Sequence, residues 1–324
     1  MTDGVVDEKD RKLGKIPERV ENGYTIYTVS NPTELTQVAG WLRYNTKEGV
    51  ALFRGQVHLY SEMLATGLRS RRDTPGRTGL SKNQLDQHGV KLRAYIDTLY
   101  GAPCSCGVSA KSFSRMHNCL EIARPVRHRT QAGSVVSGTY RAVMEPLLQH
   151  YGLNTRWMDV VDNIWIALWF ACYKQVSNEG FAHHARRSPA QEGSDAKAFI
   201  LVFRSGPLKE TAIPGYRIGT LSRLVDLRYS VPSIYHRPHA QHGLLIAPAD
   251  LEHGDIFGSL KEHVVGVIEV ALEDALDWLG KGTMTSPSTL FPPATLDDGY
   301  RRLLEYAPKP TKALGHLTIY GPGQ

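Results

Sequence analysis

The sequence has few cysteines and no long apolar run. Only four of its 324 residues are Cys, and a chain of this length with so few cannot be held together by a disulfide framework, so a reducing cytoplasm is expected. No window approaches the roughly 18 uninterrupted apolar residues of a membrane-spanning helix. The charged N-terminal stretch also lacks the apolar core of a signal peptide. We therefore predict a cytoplasmic protein with no membrane association.

The sequence also lacks the motifs of several common enzyme classes. No Ser or Cys lies in a recognisable nucleophile elbow, and no Gly-rich phosphate loop is present. Acyl-transfer and P-loop chemistry are therefore disfavoured. No internal repeat indicates a solenoid. With 41% hydrophobic and 22% charged residues, the composition is that of a globular protein with a sizeable core.

Strand and helix patterns follow each other without a regular βαβ repeat. Residues 24–29 alternate and predict a strand, and Asn31 followed by Pro32 predicts the start of a helix. This mixture favours an α+β fold with one main domain. The predicted boundaries are a flexible N-terminal segment over 1–22, the domain over 23–306, insertions near 101–119 and 177–197, and a C-terminal tail over 307–324.

Residues 147–172 are the most strongly patterned part of the chain. A polar turn, which includes Gln149, His150 and Tyr151, directly precedes a nearly apolar helical stretch. A buried helix would hold these polar residues rigidly, which is how a fold builds a site. The alternative is a turn whose polar groups satisfy only one another.

A second candidate lies at the end of the predicted strand over 49–56. Arg54 would be costly there unless its charge is used. Gly55 leaves the backbone open to close approach by a ligand. The alternative is a structural arginine that pairs with a buried carboxylate.

The formal net charge is +6, and much of the positive charge is clustered. Clustered arginines suit phosphate groups, although solvated loops have the same composition. The candidate nucleic-acid-binding residues are Arg69, Arg71, Arg72, Arg124, Arg127 and Arg129. The tight spacing of Cys104, Cys106, His117 and Cys119 is not a common zinc-binding spacing. No metal site is predicted, and whether these four residues bind a metal stays open.

Several segments together resemble the FRG domain family. Residues 53–56 resemble the motif that gives the family its name, and residues 149–160 resemble its central signature. Residues 165–171, 237–245 and 289–292 are similar to three further elements, in family order. The resemblance spans about residues 30–305. Asn154 stands where the family usually has Pro, and the pair at 160–161 also departs from its pattern.

The order of these elements further resembles the mono-ADP-ribosyltransferase fold. That resemblance implies a split mixed sheet with flanking helices and NAD as a substrate. By analogy of order, it gives catalytic places to Arg54, Thr155 and Gln241. The residues implied to contact NAD are Arg54, Gly55, Gln56, His150, Tyr151, Asn154 and Asp159, with Tyr151 stacking on the nicotinamide ring.

The implied activity is transfer of ADP-ribose from NAD to a macromolecule by a bacterial toxin or phage-defence effector with an antitoxin or regulatory partner. The arginine clusters favour a nucleic acid, RNA or DNA, as the acceptor, and a protein acceptor stays open. Cleavage of NAD passes through a positively charged ribose. Gln241 can bind the ribose hydroxyl but has no charge. Asp159 is the alternative source of negative charge, unless it caps the following helix.

Two further hypotheses stay open. One is a non-catalytic module that binds nucleic acid or nucleotides. The other is a nucleotide or nucleic-acid hydrolase that uses His150 with Asp159. The transferase hypothesis requires Arg54, Thr155 and Gln241 to meet in one cleft.

Overall fold

Apolar alternating segments of the chain form strands, and segments with helical periodicity form helices. The computed structural model describes residues 13, 16–46, 48–69, 79–101, 136–178, 181–250, 258–280, 285–308, 311 and 313–320. The strands are β1 (Glu18–Glu21), β2 (Tyr24–Val29), β3 (Ala51–Gln56), β4 (Met158–Val161), β5 (Tyr173–Asn178), β6 (Phe181–Arg186), β7 (Lys197–Arg204), β8 (Leu208–Glu210), β9 (Tyr216–Gly219), β10 (Ser222–Asp226), β11 (Gly243–Pro248), β12 (Val264–Ala271) and β13 (Ile319–Tyr320).

The helices vary from single turns to five turns. They are α1 (Pro32–Asn45), α2 (Lys82–Gly101), α3 (Val136–His150), α4 (Ile164–Cys172), α5 (Pro189–Glu192), α6 (Leu227–Ser230), α7 (His236–Ala240), α8 (Leu272–Leu279), α9 (Pro287–Leu290) and α10 (Asp298–Tyr306). Among the described residues, none of these helices has the length and apolar character needed to span a membrane.

A large mixed sheet organises the fold. Its ten strands follow the order β1-β2-β12-β7-β3-β4-β11-β10-β9-β8. The β2–β12 pair is parallel, and the other neighbours in this sheet are antiparallel. A second sheet has the order β13-β6-β5. The predicted α+β class and single main domain are confirmed.

Alternate side chains of the central strands enter cores on opposite faces of the large sheet. In β7, Ile200 and Val202 pack with α1, α4 and α8, whereas Leu201 and Phe203 pack on the other face with Met63 and neighbouring residues. This period of two is the expected consequence of strand geometry. The central strands are therefore buried on both faces and hold the residues at their ends rigidly.

The start of α1 is as predicted. Asn31 caps the helix, its Oδ1 accepting from the Glu34 amide at 2.9 Å. The Glu34 carboxylate in turn accepts from the Ser30 amide at 2.8 Å, and Pro32 occupies the first helical position. These local bonds satisfy amides that no helical carbonyl can reach, so the start of the helix is readable from sequence.

The helix α4 is mostly buried, as predicted, and packs on β3. Trp165 is the exception, because 36% of its surface is exposed. The N-cap of α4 is Asn163, whose Oδ1 accepts from Trp165 at 2.9 Å. Asp159 lies earlier, within β4. The capping alternative for Asp159 is therefore wrong.

Three of the predicted segments contain regular structure or buried residues. Within 1–22, residues 18–21 form β1, which pairs with β2. The predicted insertion at 177–197 includes all of β6 and all of α5, and β6 pairs with β5. The predicted tail over 307–324 contains Leu314 and Leu317, which are buried in the core. Long-range pairing and burial order these polar or short segments, and local composition does not encode either.

Candidate functional site

The two central strands β3 and β4 separate where the chain places Arg54. Their pairing consists of a single residue pair, Phe53 with Val161. Beyond it, the carbonyl oxygen of Asp159 accepts a hydrogen bond from Arg54 Nη1 at 2.5 Å. A side chain thus replaces the ladder bond that a continuous antiparallel pair would make. Arg54 holds the gap open on the cleft side and places a positive charge within it.

A cleft of about 500 Å³ lies at this gap. That volume is within the range of small-molecule sites. Arg54, Gly55, Gln56, Gln149, His150, Asn154, Asp159 and Gln241 all line it. The cleft thus brings together the predicted residues from β3, the central turn, β4 and the segment after α7.

Asp159 is the carboxylate in the cleft, and it is held at both oxygens. Its Oδ1 accepts from His150 Nδ1 at 2.9 Å, and its Oδ2 accepts from Gln149 Nε2 at 3.1 Å. Its side chain is nevertheless 37% exposed. Burial raises the pKa of Asp159, but the bond and charge of His150, the charge of Arg54 and the Gln149 bond together lower it below 3.8. The carboxylate is therefore ionised at neutral pH.

Arg54 carries the matching positive charge. Burial lowers the pKa of Arg54, while the charges of Asp159 and Tyr60 raise it; guanidinium remains protonated in proteins. In the amide orientation that satisfies both of its ends, the Gln56 oxygen accepts from Arg54 Nε at 3.2 Å and its nitrogen donates to the His58 carbonyl at 3.2 Å. Gln56 therefore orients the guanidinium.

Gln149, rather than Thr155, faces the cleft. Thr155 is fully buried, and its hydroxyl donates to Gln149 Oε1 at 2.9 Å and accepts from the Trp157 amide at 3.2 Å. The same Gln149 oxygen accepts from Thr66 Oγ1 at 3.2 Å. The predicted convergence of Arg54, Thr155 and Gln241 is therefore corrected: Thr155 lies one hydrogen bond behind the cleft and fixes Gln149.

Tyr151 also does not reach the cleft. It is fully buried, stacks on Tyr300 with 5.1 Å between ring centroids, and donates to Asp297 Oδ2 at 2.7 Å. The predicted stacking of Tyr151 on nicotinamide is wrong, because the turn that follows α3 directs this side chain into the core.

Gly55 has a different role from the predicted one. A Cβ at this position would lie 1.8 Å from the carbonyl oxygen of Ala167 and 2.7 Å from the Ala171 amide. The missing side chain therefore admits the backbone of α4, and the predicted opening for a ligand is not what the glycine provides. The close contact between β3 and α4 sets the position of Arg54.

His150 is positioned by its surroundings. Its side chain is 2% exposed, and its Nε2 atom is buried without a hydrogen-bond partner among the described residues. A Cβ at Gly243 would lie 3.0 Å from this Nε2. The second ring nitrogen therefore faces β11, which leaves the Nδ1 bond to Asp159 as the polar contact of the ring.

One wall of the cleft is aromatic. Its rings are Phe170, His184, Phe291 and Tyr320, all lining the cleft. His184 stacks on Phe291 with centroids 4.2 Å apart, and Phe291 lies 4.4 Å from Tyr320. Offset aromatic packing of this kind makes a rigid apolar surface that suits a planar ring.

A buried arginine supports this wall from behind. Arg237 is fully buried, and its Cζ lies 4.8 Å from the Tyr320 ring and 4.3 Å from the Tyr151 ring. Its Nε and Nη2 atoms have no hydrogen-bond partner among the described residues. The contacts of this guanidinium are therefore mainly with aromatic faces, an arrangement that is strongly favourable only when desolvated.

Gln241 and Asn154 line the cleft at its edges. Gln241 is 5% exposed, and its amide nitrogen donates to the Leu290 carbonyl at 2.7 Å. The Asn154 amide donates to the Leu314 carbonyl at 2.8 Å. A proline at this position would lack that donor. The departure of Asn154 from the family pattern thus matches a contact with the C-terminal segment.

Of the predicted arginine clusters, only Arg69 lies among the described residues. It lines the cleft, and its Nε donates to the Leu64 carbonyl at 2.9 Å. The other calls lie outside the described residues: Arg71, Arg72, Arg124, Arg127, Arg129, Cys104, Cys106, His117 and Cys119. The described part of the chain contains no group of acidic, His and Cys side chains that could hold a metal ion.

The segment from β3 to the end of β5 is where the chain matches a known family. The model of the FRG domain matches residues 50–180. The chain carries an FRG domain. Within the matched range lie Arg54, the turn at 149–155, Asp159 and α4. No curated protein and no solved structure matches the chain.

Several cleft residues lie outside that range and were not predicted as site residues. They are His184, Gly243, Phe291, Thr318 and Tyr320. Phe291 belongs to a segment that resembles a family element, so a signal for it existed. Tyr320 had none, because its role depends on pairing of β13 with β6 far along the chain.

Proposed function

We propose that the FRG domain cleft binds NAD and transfers its ADP-ribose group to a macromolecular acceptor. The carrying observation is the placement of a half-buried cation and an ionised carboxylate, Arg54 and Asp159, in one cleft beside an aromatic wall. These three features match the diphosphate, the ribose and the planar rings of a dinucleotide.

The chemistry places most demand on Asp159. The bond between ribose C1′ and the nicotinamide nitrogen breaks, and nicotinamide leaves with the electron pair. The ribose becomes positively charged. An acceptor nucleophile then forms the new bond to C1′ and loses its proton to water. Asp159 carries a negative charge in a partly desolvated cleft, where it stabilises that ribose cation more strongly than in water.

The remaining polar residues have supporting roles in this proposal. Gln149 and His150 hold the two Asp159 oxygens, so the carboxylate is preorganised before the ribose becomes charged. Gln241 lines the cleft and is proposed to bind a ribose hydroxyl through its amide. Thr155 acts indirectly, because it fixes Gln149.

The test compares two isosteric changes in purified full-length protein. Asp159→Asn removes the cleft charge, and Asp162→Asn makes the same change three residues later, at a side chain that pairs with Arg228 instead. With labelled NAD and separate RNA, DNA and protein pools, Asp159→Asn is expected to lower NAD cleavage by about 10²-fold or more. Asp162→Asn is expected to retain wild-type cleavage.

Wild-type cleavage by a folded Asp159→Asn protein would refute the role of the carboxylate. The proposed activity itself fails if the wild type neither binds nor cleaves NAD. The proposed setting is a bacterial toxin or phage-defence effector, and growth on induction of each variant provides a second readout. A protein that binds nucleic acid without cleaving NAD would favour the non-catalytic module.

The hydrolase alternative has one observation in its favour, the 2.9 Å contact between His150 Nδ1 and Asp159. A general base in such a pair acts through the other ring nitrogen. In this chain that nitrogen is buried against β11. The geometry therefore favours glycosyl transfer over His-dependent hydrolysis.

A further inference from the structure

A second cleft adjoins the first. Its volume is about 700 Å³, and it shares Thr66, Arg69 and Asn154 with the cleft that contains Asp159. A chain of hydrogen bonds also links the two clefts. Thr66 Oγ1 donates to Gln149 Oε1 at 3.2 Å, and Gln149 Nε2 donates to Asp159 Oδ2 at 3.1 Å.

One face of α2 forms a wall of this second cleft. The lining residues of α2 are Gln84, Gln87, His88 and Lys91. Their spacing of three or four residues is that of a single helix face. A long helix holds these side chains in a fixed row, so the wall can contact an extended ligand at several positions along its length.

The second cleft carries charge of one sign. Its charged lining residues among those described are Arg69 and Lys91, and no carboxylate lines it there. Arg69 is oriented by the bond from its Nε to the Leu64 carbonyl. Lys91 is exposed, so its ammonium group is available to an anion. This combination attracts phosphate groups.

The wall is packed tightly against the turn that fixes Gln149. A Cβ at Gly67 would lie 2.7 Å from His88 Nε2 and 2.6 Å from the Thr155 carbonyl oxygen. His88 is 6% exposed, and this Nε2 has no hydrogen-bond partner among the described residues. The distance between the two clefts is therefore set by rigid contacts.

We propose that this second cleft is the acceptor subsite, and that it binds the phosphodiester backbone of a single-stranded nucleic acid. This inference rests on the proposed function, because the strand would enter the first cleft at Thr66 and Asn154 and present its nucleophile near Asp159. Arg69 lies at the junction and Lys91 lies farther along the wall.

The polar residues favour nucleic acid over an acidic protein segment. Besides the two cations, the cleft offers the amide groups of Gln84, Gln87 and Asn154. Amides both donate and accept, which suits base edges, whereas carboxylate side chains need only donors. A strand must also be unpaired for a base or terminus to enter an active-site cleft.

The test measures binding without NAD, so it does not depend on the proposed catalysis. Fluorescein-labelled single-stranded RNA and DNA are titrated into the full chain at several salt concentrations. The variants are Lys91→Glu, Lys91→Gln and the control Lys209→Glu, which makes the same change on the exposed edge strand β8. Loss of one single-strand phosphate contact lowers the magnitude of the slope of log affinity against log salt concentration by about 0.7. If wild type and variant bind equally at 1 M salt, the variant therefore binds about fivefold more weakly at 0.1 M salt.

The proposal requires that Lys91→Gln weaken binding about fivefold, that Lys91→Glu weaken it further, and that Lys209→Glu leave it within twofold. Comparison of the affinities for RNA and for DNA identifies which of the two strands the second cleft prefers. The proposal is overturned if the wild type binds neither strand, if Lys91→Glu has no more effect than Lys209→Glu, or if an acidic peptide competes better than either strand. Failure of NAD cleavage with intact, Lys91-dependent binding would reject the proposed function and the acceptor role of the second cleft, and would leave its assignment as a nucleic-acid-binding site standing.

Discussion

The substitution Gly55→Ala adds one methyl group at the contact between β3 and α4. The added Cβ would lie 1.8 Å from the Ala167 carbonyl oxygen. An ordinary close contact between carbon and a carbonyl oxygen is about 3.3 Å. The helix and strand would therefore have to separate by about 1.5 Å. Ala167 and Ala171 are fully buried, so the obstacle is backbone and no flexible side chain can move aside.

The cost of this separation follows from what α4 buries. Overpacking a core usually costs about 1–3 kcal/mol when side chains can adjust. Here the contact is between backbones, and α4 also packs on β7 and α8, so we expect the free energy of unfolding to fall by at least about 3 kcal/mol. Such a loss lowers the Tm by at least about 4 °C in a chain of this size.

Urea unfolding followed by circular dichroism measures the effect. Gly40→Ala is the matched control, because Gly40 lies inside α1 and a Cβ there meets nothing within 4 Å. Alanine in a helix interior is favoured over glycine by about 0.5–1 kcal/mol, so this variant is expected to be slightly more stable than the wild type. An unfolding free energy for Gly55→Ala within 1 kcal/mol of the wild type would refute the assigned role of Gly55.

Two further predictions concern buried polar groups. Burial, with the charges of Arg237 and His183, lowers the pKa of His184 from 6.5 to about 3; a depressed pKa gives stability that is present above pH 6.5 and is lost as pH falls toward 3. Between pH 6.5 and pH 5 the resulting loss of unfolding free energy is about 2 kcal/mol. We expect the unfolding free energy of the wild type to show this loss and that of His184→Phe not to show it. An equal pH dependence of the two proteins would contradict the buried, neutral state of His184. Tyr151→Phe removes the buried bond to Asp297 and is expected to cost about 1.5–3 kcal/mol, whereas Tyr44→Phe, at a side chain 81% exposed, should cost nothing measurable; equal effects would refute the core assignment of Tyr151.

Local signals in the sequence were sufficient for elements that satisfy their own backbone groups. The α1 cap at Asn31 is an example, because the capping bonds join residues three and four apart. The strand over 24–29 was predicted with its observed bounds, because successive side chains of a strand point to opposite faces of the sheet and its residue types alternate accordingly. Arg54 and Asp159 were also among the predicted site residues, and both line the cleft.

Side-chain direction within the central turn was not predictable in the same way. His150 and Tyr151 are adjacent, yet one contacts Asp159 and the other stacks on Tyr300. Whether a turn residue faces a cleft or a core depends on where α10 packs, and α10 lies about 150 residues later in the chain. Thr155 was misplaced because its hydroxyl donates to Gln149 and its carbonyl accepts from the Gly67 amide, and the second of these contacts joins residues far apart in the sequence.

The C-terminal segment explains why the matched FRG range is not by itself a complete site. The Thr318 amide donates to the Tyr151 carbonyl at 3.0 Å, and Gly152 adopts a φ of +105° where a Cβ would lie 2.2 Å from Thr318 Oγ1. These contacts place Tyr320 in the aromatic wall. The turn that positions Asp159 through Gln149 and His150 is therefore covered by residues that follow the domain match by more than 130 positions. A fragment that ended at residue 180 would contain the charged pair but would lack Gln241, Phe291 and Tyr320, and its cleft would be open to water on the side where the proposed ribose cation needs a low dielectric constant.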